Sequence, residues 1–387
     1  NCTQESFQFP VLKRRIVEAN FQGGDITSDG GVLLLQQVDR RLGLCEAVAA
    51  TLNDPRRQAS VDHDSLSLLR QRVYALALGY EDLNDHETPR LDLAIQTALG
   101  RTEELASSPT LCRWENRADR ETAVRMHEVI VDQFITSFKK APRKLILDFD
   151  ATDDVVHGQQ EGRFFHGYYD HYCFLPLYVF CRNQLLVSYL RPSKIDGAKH
   201  AWAILALLVK RLRQVWPQVR IIFRADSGFC RWKMLSWCER NNVGYIVGIA
   251  KIEHTGKGSN PRYVVTNLKG DGRTLYDKLY CARGEMENRI KEQQLDLFAD
   301  RTSCHRWWPN QFRLLLSSLA YMLLEAIRRL ALKGTELANT YVGTLRLKLL
   351  KIGAVILRNT RRIRFLLSSA CPHQRLFLHV AARLAPG

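Results

Sequence analysis

Each scarce feature of this 387-residue sequence excludes a class of protein. Ten cysteines form no CxxC pair and no zinc-finger spacing, and they are spread from Cys2 to Cys371 along a long chain. A disulfide-stapled small domain is excluded, and reduced thiols are expected. No run of about 18 apolar residues occurs, so no membrane-spanning helix and no membrane partner are expected. The opening NCTQESFQFPVLKRR has no apolar signal-peptide core, and a soluble, cytoplasmic protein is the expectation. There is no internal repeat and no low-complexity tract, and 46% hydrophobic residues exclude a disordered or collagen-like chain.

Acid is the scarcest commodity at one end. Between 301 and 387 only Glu325 and Glu336 oppose fifteen Lys and Arg, so this stretch carries +13 of the net +16. The first 300 residues are nearly balanced. A basic block interleaved with leucine, TLRLKLLKIGAVILRNTRRIRFLL, reads as a folded surface that tracks phosphates, with nucleic acid ahead of membrane or acidic protein as partner. The plainer alternative is a basic, solvated surface.

What is present divides by hydrophobic period. DGGVLLLQQVDRRLGL, SLSLLRQRVYALALGY, LDLAIQTALG and ETAVRMHEVIVDQFITSF space apolar residues as helices do, up to a break at Lys139-Lys140-Ala141-Pro142. Beyond it KLILDFDAT, CFLPLYVFC, QLLVSYLRP, VRIIFRAD and GYIVGIAK are short runs of strand character, separated by the helical AKHAWAILALLVKRLRQV and WKMLSWCERN. A mixed α/β sheet with helices on its faces is expected. EHTGKGSNP, from Glu253 to Pro261, reads as a polar loop and YVVTNL as a further strand. TLYDKLYCARGEMENRIKEQQLDLF is expected as one long helix capped by Thr274, and the leucine-rich end is expected to be helical. Three segments follow: 1–140 helical, 141–310 α/β and 311–387 basic and helical.

Strand parity picks out the first candidate residues. In KLILDFDAT, Asp148 and Asp150 share one face and Leu147 and Phe149 the other. A carboxylate ending an apolar strand needs a cation or a hydrogen-bonding partner. Asp226 ends VRIIFRAD in the same way, and together the strand-end aspartates suggest a hard-metal site; singly, either could merely cap a turn. On the following helix Tyr280, Arg283, Glu287 and Gln294 fall on one stripe, bordered by Lys291. A solvated face with Glu-to-Lys pairing explains Glu287 and Lys291 without requiring the tyrosine or the arginine. Trp307 and Trp308, beside basic residues, suit either stacking on an unpaired base or packing in a core. His166, His171 and Cys173 lie in an aromatic turn region that makes a poor zinc site.

Together these residues resemble a known family. ILDFDATDDVVHGQQ, RADSGF and YCARGEMENRIKEQQLDLFADRTSCHRWWPNQFRLLLSSLAY are similar to bacterial insertion-sequence transposases with a ribonuclease H-like DDE core, and most of all to insertion-sequence family 1380. LALGYEDLNDH, LASSPTLCRWENR and LKLLKIGAVILRNTRRIRFLLSSACP extend the resemblance over nearly the whole chain. It implies that Asp150, Asp226 and Glu287 are catalytic and hold two Mg2+ ions, with Mn2+ as a possible substitute. Asp150 would bridge both ions, and Asp226 and Glu287 would hold one each. Tyr280 and Arg283 match the Tyr-x2-Arg-x3-Glu-x6-Lys signature, while its lysine is Gln294 here, so Lys291 is the candidate replacement for phosphate contact.

The resemblance further implies an end-binding helical segment before the core, terminal inverted repeats and target DNA as partners, a homo-oligomer on DNA, and work at the bacterial nucleoid. Arg361, Arg362 and Arg364 are the expected backbone-phosphate contacts in the basic region. Only 60 residues separate Asp226 from Glu287, so most of the family's β-rich insertion, which would fall near 251–270, is expected to be missing. A ribonuclease H-like nuclease without strand transfer and a degenerate DNA-binding remnant are the rival readings.

Overall fold

The computed structural model describes residues 6–57, 61–249 and 263–385. Two strands, β1 (Phe7–Leu12) and β2 (Arg15–Ala19), form an antiparallel hairpin with every side chain exposed, and the two-residue β3 (Ile26–Thr27) follows. The expected helices begin at Val32 and occupy Val32–Leu42, Leu44–Ala49, Ser65–Leu78, Leu93–Ala98, Ser108–Glu115 and Arg120–Thr136. Asp64 caps the Ser65 helix by accepting from the Ser67 N–H at 2.7 Å, which satisfies one of the amides that a helix start leaves unpaired. In the Gly30-Gly31 pair, a Cβ on Gly31 would collide with the Leu349 carbonyl, while the Gly31 amide donates to Leu350 at 3.1 Å. The glycines thus let the two ends of the chain touch backbone to backbone.

After the predicted break come β4 (Lys144–Ala151) and three short strands, β5 (Asp154–Val155), β6 (Phe164–His166) and β7 (His171–Phe174), which make a small antiparallel sheet in the order β5-β7-β6. The stretch written CFLPLYVFC is therefore two strands, split at Leu175-Pro176, and its second half is β8 (Leu177–Cys181). Then follow β9 (Gln184–Tyr189), the helix Ala201–Val215, β10 (Arg220–Ala225), the helix Trp232–Arg240, β11 (Gly244–Ile249) and β12 (Tyr263–Thr266). The six-stranded sheet has the order β12-β11-β10-β4-β8-β9. Strands β4, β10 and β11 are parallel to one another, and β8, β9 and β12 each run antiparallel to the neighbour they pair with.

Parity within β4 sets the two faces. Leu145, Leu147 and Phe149 pack with Leu205, Leu208 and Leu212 in one apolar layer, where Phe149 meets Phe223 edge to face at 5.1 Å. The opposite face, bearing Asp148 and Asp150, is met by an irregular helix from Gly272 to Asp296, in which α, π and 3-10 turns alternate. Its cap is Asp271, which accepts from the Thr274 amide at 2.8 Å, and not Thr274 as expected from the sequence.

The Trp307–Ile327 helix is buried along nearly its whole length, against both β9 and the Ser65 helix. Beyond it the expectation of a helical end fails in part. Ala354–Arg358 and Ile363–Leu367 are strands β13 and β14 of an antiparallel hairpin, and β13 also pairs with β3. The Asn359 side chain closes the turn by accepting from the amides of Arg361 at 3.0 Å and Arg362 at 2.9 Å, and β3 supplies a strand partner from far earlier in the chain. The final helix is Gln374–Leu384. The loop expected at Glu253–Pro261 lies outside the described residues.

Candidate active site

Asp150 and Asp226 stand side by side because β4 and β10 are parallel neighbours. The register pairs Phe149 with Ala225, so each aspartate is the next residue toward the carboxyl end of its strand. Glu287 arrives from the irregular helix, and one guanidinium links it to the sheet. Arg283 donates through Nη1 to Asp150 Oδ2 at 3.0 Å and through Nη2 to Glu287 Oε1 at 2.6 Å. Asp226 accepts from the Gly228 amide at 2.9 Å and caps the Ser227–Phe229 turn, while its charge still acts on both Asp150 and Arg283.

Burial pushes the Asp150 carboxyl up to about 7; Arg283 opposes the shift, and the negative charges of Asp226 and Glu287 add to it. One arginine therefore serves a cluster of three acids, and the cluster keeps an excess of negative charge. Every donor atom is a carboxylate oxygen, the ligand type that hard divalent cations take. Cysteine and histidine do not enter this centre.

Asp148, one pleat back on the same face, has a different task. It is buried and paired with Arg224, whose Nη2 reaches Asp148 Oδ2 at 2.7 Å and whose Nε reaches Oδ1. Arg224 also donates to the carbonyls of Leu279 and Ala282, so it clamps the irregular helix onto β10. Arg224→Ala should destabilise the fold by about 3–5 kcal/mol, because it strands a buried carboxylate. In denaturant titration the paired change Arg224→Met with Asp148→Leu should recover most of that loss.

The remaining candidates separate by environment. The Tyr280 hydroxyl lies against Gly248 on β11, where a Cβ would collide with it, and its ring stacks on Tyr276 at 5.6 Å. Gln294, at the position of the missing lysine, donates to the Asp153 carbonyl at 2.9 Å, and Lys291 is exposed. Trp307 packs edge-on to Phe174 at 5.4 Å, and its ring lies 2.6 Å from where a Cβ on Gly162 would be, so this ring is committed to packing. Trp308 is half-buried and lines an apolar groove with Val124, Ile204 and Leu207. Arg361, Arg362 and Arg364 are exposed on the β13–β14 hairpin, away from the carboxylates in sequence and on a separate sheet. His171 Nε2 meets Asp153 Oδ2 at 2.9 Å, and Cys173 is buried. No cluster of three His, Cys, Asp or Glu side chains placed to hold a metal ion is found among the described residues, and this covers His166, His171 and Cys173 as well as the three acids around Arg283.

Two contributors were not singled out from the sequence. Arg224 carries a usable signal, since it shares the Asp148 strand face two residues before Asp226. Glu292 carries none, because it sits in the charged run ENRIKEQQ. It is buried and accepts from Arg328 Nη1 at 2.9 Å and the Val342 amide at 2.8 Å, and pairs with Arg289 at 2.9 Å, bracing the helix of Glu287 from behind.

Asp154, just past the centre, is buried with no cation. Thr302 donates to its Oδ2 at 3.1 Å, and Oδ1 finds no partner among the described residues. Burial pushes its carboxyl well above the ordinary value, helped by the charges of Asp300 and Asp153. The folded chain then keeps this proton at pH values where the unfolded chain has released it, so folding stability falls as pH rises above the unfolded value of 3.8. Asp154→Asn should remove that decline. Its melting temperature should exceed the parent's increasingly from pH 5 to pH 8, with little difference near pH 4.

Two parallel strand ends and one helix thus bring Asp150, Asp226 and Glu287 to one place around Arg283. The chain belongs to the family described as Transposase DDE domain group 1, whose model matches residues 9–251 and 249–386. No curated protein matches it. Among solved structures it is similar to a piggyBac transposase synaptic complex with hairpin DNA, with 11% identity over 84% of this chain and 79% of that one and a TM-score of 0.42. No helix among the described residues is long and apolar enough to cross a membrane.

Proposed function

We propose that the protein is an insertion-sequence transposase of the family 1380 kind, which binds terminal inverted repeats and catalyses Mg2+-dependent strand cleavage and strand transfer. The observation that carries the reading is the meeting of Asp150, Asp226 and Glu287 around Arg283 at the carboxyl ends of two parallel strands. The strand order β9-β8-β4-β10-β11 supports a ribonuclease H-like core, with three antiparallel strands in succession followed by two parallel to the first. Residues 141–310 are the proposed catalytic domain, 1–140 the end-binding segment and 311–387 the basic region.

With Arg283 released from Asp150 and Glu287, these two and Asp226 would close on Mg2+, which would supply polarisation of the phosphoryl oxygen and activation of the attacking one. Arg283 is the residue placed to exchange partners. Its guanidinium pairs with two of the acids, and on release it would bind two oxygens of a phosphate, a bidentate match for its planar fork. Tyr280, held over Gly248, would orient that phosphate or the displaced strand, and Lys291 on the exposed border would follow the backbone. Concerted transfer of two ends requires an oligomer on DNA.

The test is end cleavage with Mg2+ on DNA carrying the flanking repeats. Nicks at the repeat boundary, lost when EDTA is added, are expected; uniform nicking without regard to the repeats would favour a ribonuclease H-like nuclease. A DNA-binding remnant is favoured by one observation. Among the described residues between Asp226 and Glu287, β12 is the only strand besides the core strand β11. Binding of the repeats without any Mg2+-dependent nicking would support that alternative.

A further inference from the structure

The small sheet between β4 and β8 has a composition that packing does not explain. Phe165 and Tyr172 face each other across β6 and β7 and meet edge to face at 5.7 Å, yet they are 53% and 46% exposed. Tyr168, at the tip of the same hairpin, is 85% exposed. The Arg163 guanidinium lies over the Tyr172 ring, 4.4 Å from its centre, while Lys194 lies over Phe164 on the opposite face. Exposed rings with cations on them serve a ligand that has both a flat apolar part and negative charge.

The position of this hairpin narrows the ligand further. Its other face carries His166, Tyr169 and His171, whose rings succeed one another at 4.9 and 6.0 Å. His171 is anchored to Asp153, three residues beyond Asp150, and the Asp153 carbonyl is held by Gln294 from the helix that carries Glu287. Burial raises the Tyr169 phenol to about 12, with the charges of Asp153 and Asp150 adding to the shift. The hairpin is therefore tied to the chain just past Asp150 and to the helix that carries Glu287, two of the three elements that supply the carboxylates.

We propose that the β6–β7 hairpin, through Phe165, Tyr168 and Tyr172 with Arg163, is a stacking platform for unpaired bases of a DNA strand at the cleavage centre. This rests on the reading of the centre as acting on DNA, and names the form of DNA that it takes. A paired duplex buries its base faces in its own stack, so only a strand opened or frayed beside the scissile phosphate can offer them to the rings. Charge complementarity sets the occupant: Arg163, over the Tyr172 ring, suits a phosphate, which an apolar protein partner would not provide.

The test uses the full-length chain in EDTA, so that no cleavage occurs, with a fluorescein-labelled fifteen-nucleotide oligothymidine and a blunt fifteen-base-pair duplex as probes. Fluorescence anisotropy should show single-strand affinity falling about tenfold in Tyr168→Ala, with duplex affinity changed less than about twofold. Tyr168→Phe, which keeps the ring, should retain the parent affinity. The exposed Tyr168 contacts little besides the edge of Tyr169, at 5.0 Å, so the substitution leaves the fold in place, and unchanged thermal melting checks this. Equal single-strand affinity in the parent and Tyr168→Ala would overturn the platform, as would equal losses for both probes. Specific single-strand binding together with an inactive Mg2+ assay would uphold the platform while removing the transposase reading.

Discussion

Asp226→Asn is expected to lower Mg2+-dependent nicking by about three orders of magnitude or more while leaving binding of the repeat DNA within about twofold. Asparagine is nearly isosteric, and its side-chain carbonyl can still accept from the Gly228 amide, so the Ser227–Phe229 turn and the end of β10 keep their shape. What disappears is one unit of negative charge beside Asp150. That charge contributes to the raised Asp150 carboxyl, so the variant should also ease protonation strain at the centre. The expected signature is thus a split: lost nicking, retained binding and an unchanged or higher melting temperature. Gel-based nicking, anisotropy with the repeat DNA and thermal melting read the three quantities separately. An unchanged nicking rate would remove Asp226 from the centre.

Neutralising Arg361, Arg362 and Arg364 together should make the salt dependence of DNA affinity shallower by about 0.9 per lost phosphate contact, up to about 2.7 if all three reach the backbone. These three stand out from the +13 region because much of the rest is already occupied. Arg313 pairs with Glu115, Arg328 with Glu292, Lys351 with Asp29 and Arg301 with Glu81, while Arg346 donates to the carbonyls of Ala77 and Leu76. These four acids all come from the first 300 residues, while Arg329 pairs with Glu325 inside the block. The three arginines instead project from a two-stranded ribbon whose backbone is held at its base by β3, so substitution there costs little stability. Affinity measured from 50 to 200 mM salt gives the slope, and a parallel shift with no change in slope would exclude phosphate contact.

Period and parity made much of the core legible. KLILDFDAT and VRIIFRAD could be placed as strands with their aspartates at the carboxyl ends, because side chains alternate whatever the surroundings. Glu287 came within reach only through the family resemblance, since its spacing from Tyr280 and Arg283 marks no more than a shared stripe and a lone glutamate on a charged helix has no distinguishing mark. The basic end was harder. TLRLKLLKIGAVILRNTRRIRFLL has leucines compatible with a helix, and its conversion into β13 and β14 depends on β3, a two-residue partner no local pattern announces. The exposed β1–β2 hairpin went unread for a similar reason, as its alternation FQFPVL and RIVEA is short and sits before the first strong helix.

The sequence by itself determined on which face of each central strand the charged side chains lie, and where the helical run breaks before β4. Only the tertiary structure decided how those charges are shared. Arg283 belongs to Asp150 and Glu287 at once, Asp148 belongs to Arg224 and not to the centre, and Glu292 is a buried brace where the sequence shows a solvated run. The reason is physical. Propensity and period act between neighbours along the chain, whereas the choice of partner for a half-buried charge depends on which distant cation the fold brings within about 3 Å, and on the cost of leaving that charge without one.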